Sequence, residues 1–142
     1  MLKERFVLDN CACGKVRMAA RAVTRRYDEA LRPVGLRATQ FAVLIAIGVG
    51  EAASITALAK RLGMDRSTLT RNLGPLVDEG LIAVGAESWR RSRNLELTKK
   101  GRTRMQQALP YWESAQQSLK ETLGNRHWDT AHAGLDQLIR AA

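Results

Sequence analysis

Apolar residues recur at helical spacing over most of the chain, and this periodicity divides the sequence into successive helices. From about Asp9 to Leu31 they repeat every three or four residues, which predicts a long amphipathic helix ended by Pro33 and Gly35. Residues 39–48 are almost wholly apolar. Because that run is too short to cross a bilayer, we expect a core helix surrounded by protein on all sides.

Residues 54–82 predict two short helices joined by a tight turn. Gly63 ends the first helix, and Asp65 can cap the second, which begins at Arg66. The apolar stripe of the second helix is formed by Leu69, Leu73, Leu76 and Val77. Its polar residues therefore lie largely on other faces, as in a DNA-reading helix-turn-helix, although an ordinary helical hairpin with a solvated face has the same pattern.

A short hairpin is predicted directly behind these two helices. Gly80 closes the second helix, residues 81–85 suit an apolar strand, and residues 95–97 alternate as a return strand would. The loop between them, residues 86–94, is polar and rich in arginine. Two strands with a basic loop beside a helix-turn-helix form a wing, whereas the loop by itself could equally be a solvated hairpin tip.

Several polar residues of the second helix and of the loop have chemistry suited to a DNA duplex. Arginine suits guanine edges, asparagine suits adenine, and hydroxyl side chains suit phosphates or either base. The loop can lie along the DNA backbone or place an arginine in the minor groove. The predicted DNA-contacting residues are Arg66, Ser67, Thr68, Thr70, Arg71 and Asn72 on the helix and Arg90, Arg91 and Arg93 on the loop.

Two further amphipathic helices are predicted after the hairpin. Thr98 caps the first of them, Pro110 should bend it, and Gly124 separates it from the last. Since a winged helix-turn-helix needs neither these helices nor the first one, their apolar faces predict a homodimer interface. The expected mainly α fold has a dimerisation helix in residues 1–36, a winged helix-turn-helix with a short β-hairpin wing in residues 37–100, and C-terminal dimerisation helices in residues 101–142.

Charge and hydropathy narrow the choice of partner. The 142 residues carry a net charge of +9, which favours a polyanion, with double-stranded DNA ahead of an anionic membrane. No apolar stretch approaches the ~18 residues of a membrane span. Because the N-terminus also lacks the apolar centre of a signal peptide, we expect no membrane association and a cytoplasmic location.

Signatures of enzymes, metal sites and cofactor sites do not stand out in the sequence. It has no Gly-rich phosphate loop and no nucleophile near a histidine and an acid in a pattern above chance. Cys11 and Cys13 are distant from His127 and His132 and form no recognisable set of metal ligands. We expect no enzymatic activity, no metal and no cofactor. A protein-interaction module without DNA binding remains an alternative, although it would not need the Arg-rich loop.

The order of these elements resembles the MarR (multiple antibiotic resistance regulator) family of bacterial transcription factors over essentially the full chain. The matching positions are 58–71, Leu76, 80–82, 90–93 and 97–101. The resemblance implies a dimeric winged-helix regulator, usually a repressor, that leaves DNA when a small ligand binds or a cysteine is oxidised. Trp89 departs from the pattern, because the family usually has an aspartate there that braces the wing through a salt bridge.

The resemblance also implies an effector site between the dimerisation helices and the reading domain. Arg17 and Arg21 on the first helix, with Tyr111 and Trp112 near Pro110 as apolar walls, would suit an aromatic carboxylate or a related acidic metabolite. A solvated basic face and aromatic residues of the core or the interface would have the same sequence pattern.

A narrower resemblance links the first helix to the organic-hydroperoxide-sensing branch of the family. Residues 8–10 (LDN) followed by Cys13 are similar to the start of that branch, whose reactive cysteine occupies the position of Cys13. Tyr27 matches a tyrosine that hydrogen-bonds that cysteine, whereas Ala38 stands where a second tyrosine is expected. The alternative function is therefore a redox-sensing repressor switched by oxidation of Cys13, set against an inert cysteine.

Overall fold

The computed structural model describes residues 1–50, 54–85 and 94–142 of the chain. Within these ranges lie helices α1 (Leu2–Asn10), α2 (Ala12–Leu31), α3 (Ala38–Gly48), α4 (Ile55–Leu62), α5 (Arg66–Asp78), α6 (Lys99–Leu123) and α7 (Asn125–Ala141), and strands β1 (Ile82–Val84) and β2 (Leu95–Leu97). A turn of 3-10 helix, Arg32–Val34, follows α2. The predicted mainly α, winged-helix fold is confirmed.

Helix α3 lies at the centre of the core. Five of its eleven residues are buried, and it packs against α4, α5, α6 and β2. Its neighbours contribute leucines from every one of the surrounding elements, among them Leu58, Leu69 and Leu95. The apolar run at residues 39–48 was therefore correctly predicted to form a core helix.

The helix-turn-helix is built by local signals. The Ser54 hydroxyl accepts a hydrogen bond from the Ala57 amide (3.1 Å) at the start of α4. Gly63 ends α4 in the left-handed conformation (φ 64°), and the Asp65 side chain caps α5. The predicted turn and cap are confirmed. One position of the predicted apolar stripe differs, because Val77 is 38% exposed at the end of α5.

The predicted hairpin forms from the two predicted strands. Ile82 pairs with Leu97, and Val84 pairs with Leu95, in antiparallel order. Ile82 and Leu95 are buried against the core, whereas Ala83 faces outward. Residues 86–93 of the predicted loop lie outside the described residues, and with them Trp89, Arg90, Arg91 and Arg93.

The first predicted helix is α2, which ends at Leu31 as predicted. It begins at Ala12 and not near Asp9, because Cys11 is extended (ψ 115°), and a separate helix that was not predicted, α1, precedes it. The α1 helix buries no residue, and it is stabilised by local contacts such as the Arg5–Asp9 ion pair (3.2 Å). Because its formation does not depend on an apolar face, hydrophobic periodicity gave no signal for it.

The last two helices match the prediction in position. The Thr98 hydroxyl caps α6 by accepting from the Gly101 amide (3.0 Å), α6 runs through Pro110 to Leu123, and Gly124 (φ 81°) separates it from α7. Within the described ranges, no single helix is long and apolar enough to cross a membrane. Residues 12–34 and 38–48 meet that test of length and composition only together, across a bend of 74°.

Candidate nucleic-acid interface

One side of α5 anchors the helix and the other is free to contact a ligand. Leu69, Leu73 and Leu76 are buried in the core and hold the helix in place. The predicted reading residues differ in exposure. Arg66, Ser67, Thr70 and Arg71 are exposed, whereas Thr68 and Asn72 are half-buried. The outward face therefore combines two guanidinium groups with two hydroxyls and has no acidic side chain along Arg66–Val77.

Asp65 organises the first turn of α5. Its Oδ1 accepts hydrogen bonds from the Thr68 amide (2.7 Å) and from the Ser67 hydroxyl (2.7 Å), and its Oδ2 accepts from the Thr68 hydroxyl (3.1 Å). The pKa of Asp65 is lowered to about 2. The bond from the Thr68 amide has the largest effect, the two hydroxyl bonds follow, and the nearby Arg71 charge has the smallest effect. At neutral pH the residue is thus a carboxylate, which can only accept hydrogen bonds.

Other polar groups of the reading helix also bond back to the helix itself. The Thr70 hydroxyl donates to the Arg66 carbonyl (2.8 Å), and the Asn72 amide nitrogen donates to the Thr68 carbonyl (2.9 Å). A guanidinium nitrogen of Arg71 lies 3.4 Å from the Thr68 hydroxyl, a weak contact. The side chains are therefore held in place before any ligand arrives.

A cavity of about 620 Å³ lies between α2, α3, α4 and α6. Its walls are almost wholly apolar and include Phe41, Leu109 and Trp112, and Tyr27 and Arg61 are among its polar residues. The Tyr27 hydroxyl donates to the Gln116 side chain, and burial raises the pKa of its phenol. The cavity is thus suited to a largely apolar ligand with a polar or anionic end.

The structure brings together only some of the predicted effector residues. Tyr27 and Trp112 both line the cavity, whereas Arg17 and Arg21 are exposed on α2 and do not line it. Arg61, at the end of α4, does line it and was not among the predicted residues. No sequence signal marks Arg61, because the cavity joins helices that are far apart along the chain.

The two cysteines lie at the break between α1 and α2. Both Cys11 and Cys13 are free thiols and are exposed. Tyr27 follows Cys13 by fourteen residues along the same helix, which corresponds to about 21 Å at the rise of an α-helix. Within one protomer, this tyrosine therefore cannot reach the Cys13 sulfur. Among the described residues, no group of three or more potential metal ligands occurs.

A family model and several solved structures are similar to this chain. Residues 34–91 match the model of the MarR family. The chain is 38% identical to the M. tuberculosis transcriptional regulator MosR, with a TM-score of 0.81, covering 95% of this chain and 99% of the other. MosR in complex with DNA is 40% identical, with a TM-score of 0.80, over 93% of this chain and 98% of the other.

The transcriptional repressor CouR is a more distant neighbour. Its structures bound to a 23-mer DNA duplex and to p-coumaroyl-CoA are both 26% identical to this chain, with TM-scores of 0.81 and 0.82, and each alignment covers 94% of this chain and 95% of the other. No curated protein matched. Because the identity to MosR extends over nearly all of both chains and the family model spans the helix-turn-helix, this chain belongs to the MarR family of DNA-binding transcription regulators.

Proposed function

We propose that the protein is a homodimeric repressor that reads a pseudo-palindromic operator with α5 and leaves it when a small effector binds. The observation that carries the proposal is the outward face of α5, where Arg66, Ser67, Thr70 and Arg71 are exposed above a buried leucine stripe. Arginine pairs with guanine in the major groove, and polar side chains beside it distinguish the remaining bases. Two copies related by a two-fold axis would read half-sites about one helical turn apart.

The apolar surface of the terminal helices supports the homodimer. Phe6 and Leu8 on α1, Met18 on α2 and Ile139 on α7 are all at least 67% exposed in the protomer. Leu135 and Leu138 share the exposed side of α7 with Ile139. Exposed large apolar side chains gathered on the terminal helices favour a protein interface there. Residues 1–36 and 101–142 are accordingly proposed as the dimerisation elements, and residues 37–100 as the DNA-binding unit.

The cavity supports control by a small molecule. It joins α2 and α6, which belong to the proposed dimerisation part, to α4, the first helix of the helix-turn-helix. A ligand bound there would change the position of α4, and with it that of α5, relative to the dimer axis. The apolar walls and Arg61 favour an aromatic acid or its thioester. CouR, a repressor of the same fold, binds p-coumaroyl-CoA.

A thiol switch is the second candidate, and the exposure of Cys13 favours it. A free, exposed thiol can be oxidised by an organic hydroperoxide to a sulfenic acid, with release of the alcohol. Operator binding should then be lost after treatment with an organic hydroperoxide and retained in Cys13→Ser. If the wild type and the variant respond alike, oxidation of Cys13 is not the switch.

The DNA-binding proposal is tested by gel shift with the DNA upstream of the gene, repeated over a range of salt concentrations. Arg71→Ala and Asn72→Ala should weaken operator binding more than binding to random DNA, because each removes a base contact. Arg90→Ala and Arg91→Ala, on the predicted wing, should weaken both and lower the salt slope, because they remove phosphate contacts.

The wing variants are matched controls for Arg71→Ala, since each of the three removes one guanidinium group. An equal loss of affinity for operator and random DNA on replacing Arg71 would reject its role as a base reader. A protein that discriminates no DNA sequence at any salt concentration would contradict the proposal as a whole. Because bacterial operators lie in the cytoplasm, the proposal also implies a cytoplasmic location.

A further inference from the structure

The exposed hydroxyl groups of α5 already donate their hydrogens to acceptors within the protein. Ser67 donates to Asp65 Oδ1 at 2.7 Å, and Thr70 donates to the Arg66 carbonyl at 2.8 Å. A hydroxyl has one hydrogen and two lone pairs. Once its hydrogen is committed to an acceptor within the protein, it can offer a ligand only its lone pairs.

The direction of the Ser67 bond follows from the chemistry of its partner. Asp65 is ionised near neutral pH, since three donors converge on it, and a carboxylate has no hydrogen to give. The Ser67 hydroxyl must therefore be the donor. Charge assistance makes such a bond about twice as strong as one between neutral groups, so DNA would not easily turn the hydroxyl around.

A hydroxyl that only accepts hydrogen bonds distinguishes between the groups of a DNA duplex. Phosphate oxygens, guanine O6 and thymine O4 are acceptors, and none of them can bond to it. The exocyclic amino groups of adenine and cytosine are the donors in the major groove. We propose that Asp65 is a positioning residue that makes Ser67 an acceptor, so that the base opposite Ser67 in the operator is adenine or cytosine. This inference rests on the proposed reading role of α5.

Asp65 also orients Arg71, through the Thr68 hydroxyl. The Thr68 hydroxyl donates to Asp65 Oδ2 at 3.1 Å, so its free lone pairs face the Arg71 guanidinium at 3.4 Å. The attraction between Asp65 and Arg71 acts in the same direction. The donors of the reading face are therefore chiefly arginines, which suit guanine, and its hydroxyls are acceptors, which suit the amino groups of cytosine and adenine.

Two substitutions separate the polarity of Asp65 from its charge. Asp65→Asn and Asp65→Gly both remove the charge, and both residues are accepted at the N-cap of a helix. Asparagine keeps an oxygen that can accept from the Thr68 amide and from Ser67. Glycine has no side-chain oxygen and so releases the hydrogen of Ser67. Similar unfolding midpoints of the two variants would show that both keep the start of α5 folded.

Base preferences are measured by selecting bound sequences from a randomised duplex library with the wild type, Ser67→Ala and the two Asp65 variants. The position read by Ser67 is the one whose preference is lost in Ser67→Ala. At that position we expect the wild type to favour adenine or cytosine about fivefold, the worth of one neutral hydrogen bond. Asp65→Asn should keep this preference, whereas Asp65→Gly should also accept guanine or thymine, since the released Ser67 hydroxyl can donate.

Three results would overturn the inference. These are a guanine or thymine preference of the wild type at the Ser67 position, a uniform loss of affinity in Ser67→Ala with no change in base preference, and equal base preferences in Asp65→Asn and Asp65→Gly. A wild type that enriches no sequence would instead contradict the proposed base reading itself. Replacing the preferred adenine with purine, which lacks only the amino group, should lower wild-type affinity about fivefold and leave that of Ser67→Ala unchanged.

Discussion

Gly101 is the position where one added methyl group should disturb the protein most. It lies in the first turn of α6, is buried, and faces the backbone of Leu81, where the chain enters β1. A Cβ atom there would lie 1.9 Å from the Leu81 carbonyl oxygen and 2.9 Å from its carbonyl carbon. Since the obstacle is backbone and not the end of a flexible side chain, Gly101→Ala must push α6 and the hairpin apart by more than about 1 Å.

The magnitude follows from what this shift would break. Overpacking of a well-packed core costs about 1–3 kcal/mol. The Leu81 carbonyl would also lose the hydrogen bond from the Thr98 amide, now 3.1 Å long, which is worth about 1 kcal/mol. The better helix propensity of alanine returns up to about 1 kcal/mol. We therefore expect a loss of about 2 kcal/mol in the free energy of unfolding, or a fall of about 7 °C in Tm.

Equilibrium denaturation at one fixed protein concentration measures this loss, since an assembling protein changes its stability with concentration. Gly74→Ala is the matched control, because a Cβ at Gly74 meets nothing within 4 Å. Its helix-propensity gain is partly offset by the ring of Pro75, so the change should stay within about 1 kcal/mol. A loss below about 1 kcal/mol in Gly101→Ala would refute the close approach of α6 to Leu81.

Three further predictions concern pH, assembly and the cavity. The pKa of Asp65 is lowered from 3.8 to about 2 in the folded state, so its stabilising contribution is complete above about pH 5 and is lost as the pH falls through about 2. The difference in Tm between wild type and Asp65→Asn should shrink from about pH 5 to about pH 2, and a constant difference would contradict the assignment. Ile139→Asp should convert the proposed dimer to monomer in sedimentation velocity, because it would bury a charge in the interface, whereas Gln137→Asp, on the opposite side of α7, should not. If Ile139→Asp stays dimeric, the Ile139 face of α7 is not part of the interface. Ala42→Phe should fill part of the cavity, so that aromatic carboxylates or their thioesters no longer release the protein from its operator, while operator affinity stays within twofold of the wild type. If these ligands release the variant as they release the wild type, the effector binds elsewhere.

The reading unit could be predicted from the sequence because its determinants are local. The helix boundaries at Gly63 and Asp65 depend on backbone conformation and on a cap three residues away from its partner. The pairing of β1 with β2 follows from two apolar segments that are neighbours along the chain, the second of them alternating as a strand does. Neither feature needs knowledge of the rest of the fold. By contrast, α1 was missed, because its contacts are local but leave no hydrophobic pattern.

The effector cavity and the role of Gly101 depended on the tertiary structure. Tyr27, Arg61 and Trp112 are far apart in the sequence and share the cavity only because α3 brings α2, α4 and α6 together. Gly101 lies within residues 97–101, which resemble the family. What requires glycine there is the Leu81 carbonyl, twenty residues earlier in the chain, which occupies the space that a Cβ atom would need. Periodicity and capping determine which face of each helix is apolar and where the helix ends. Which helices then meet, how closely, and what space they enclose is decided by packing between distant segments, and short sequence patterns carry no record of it.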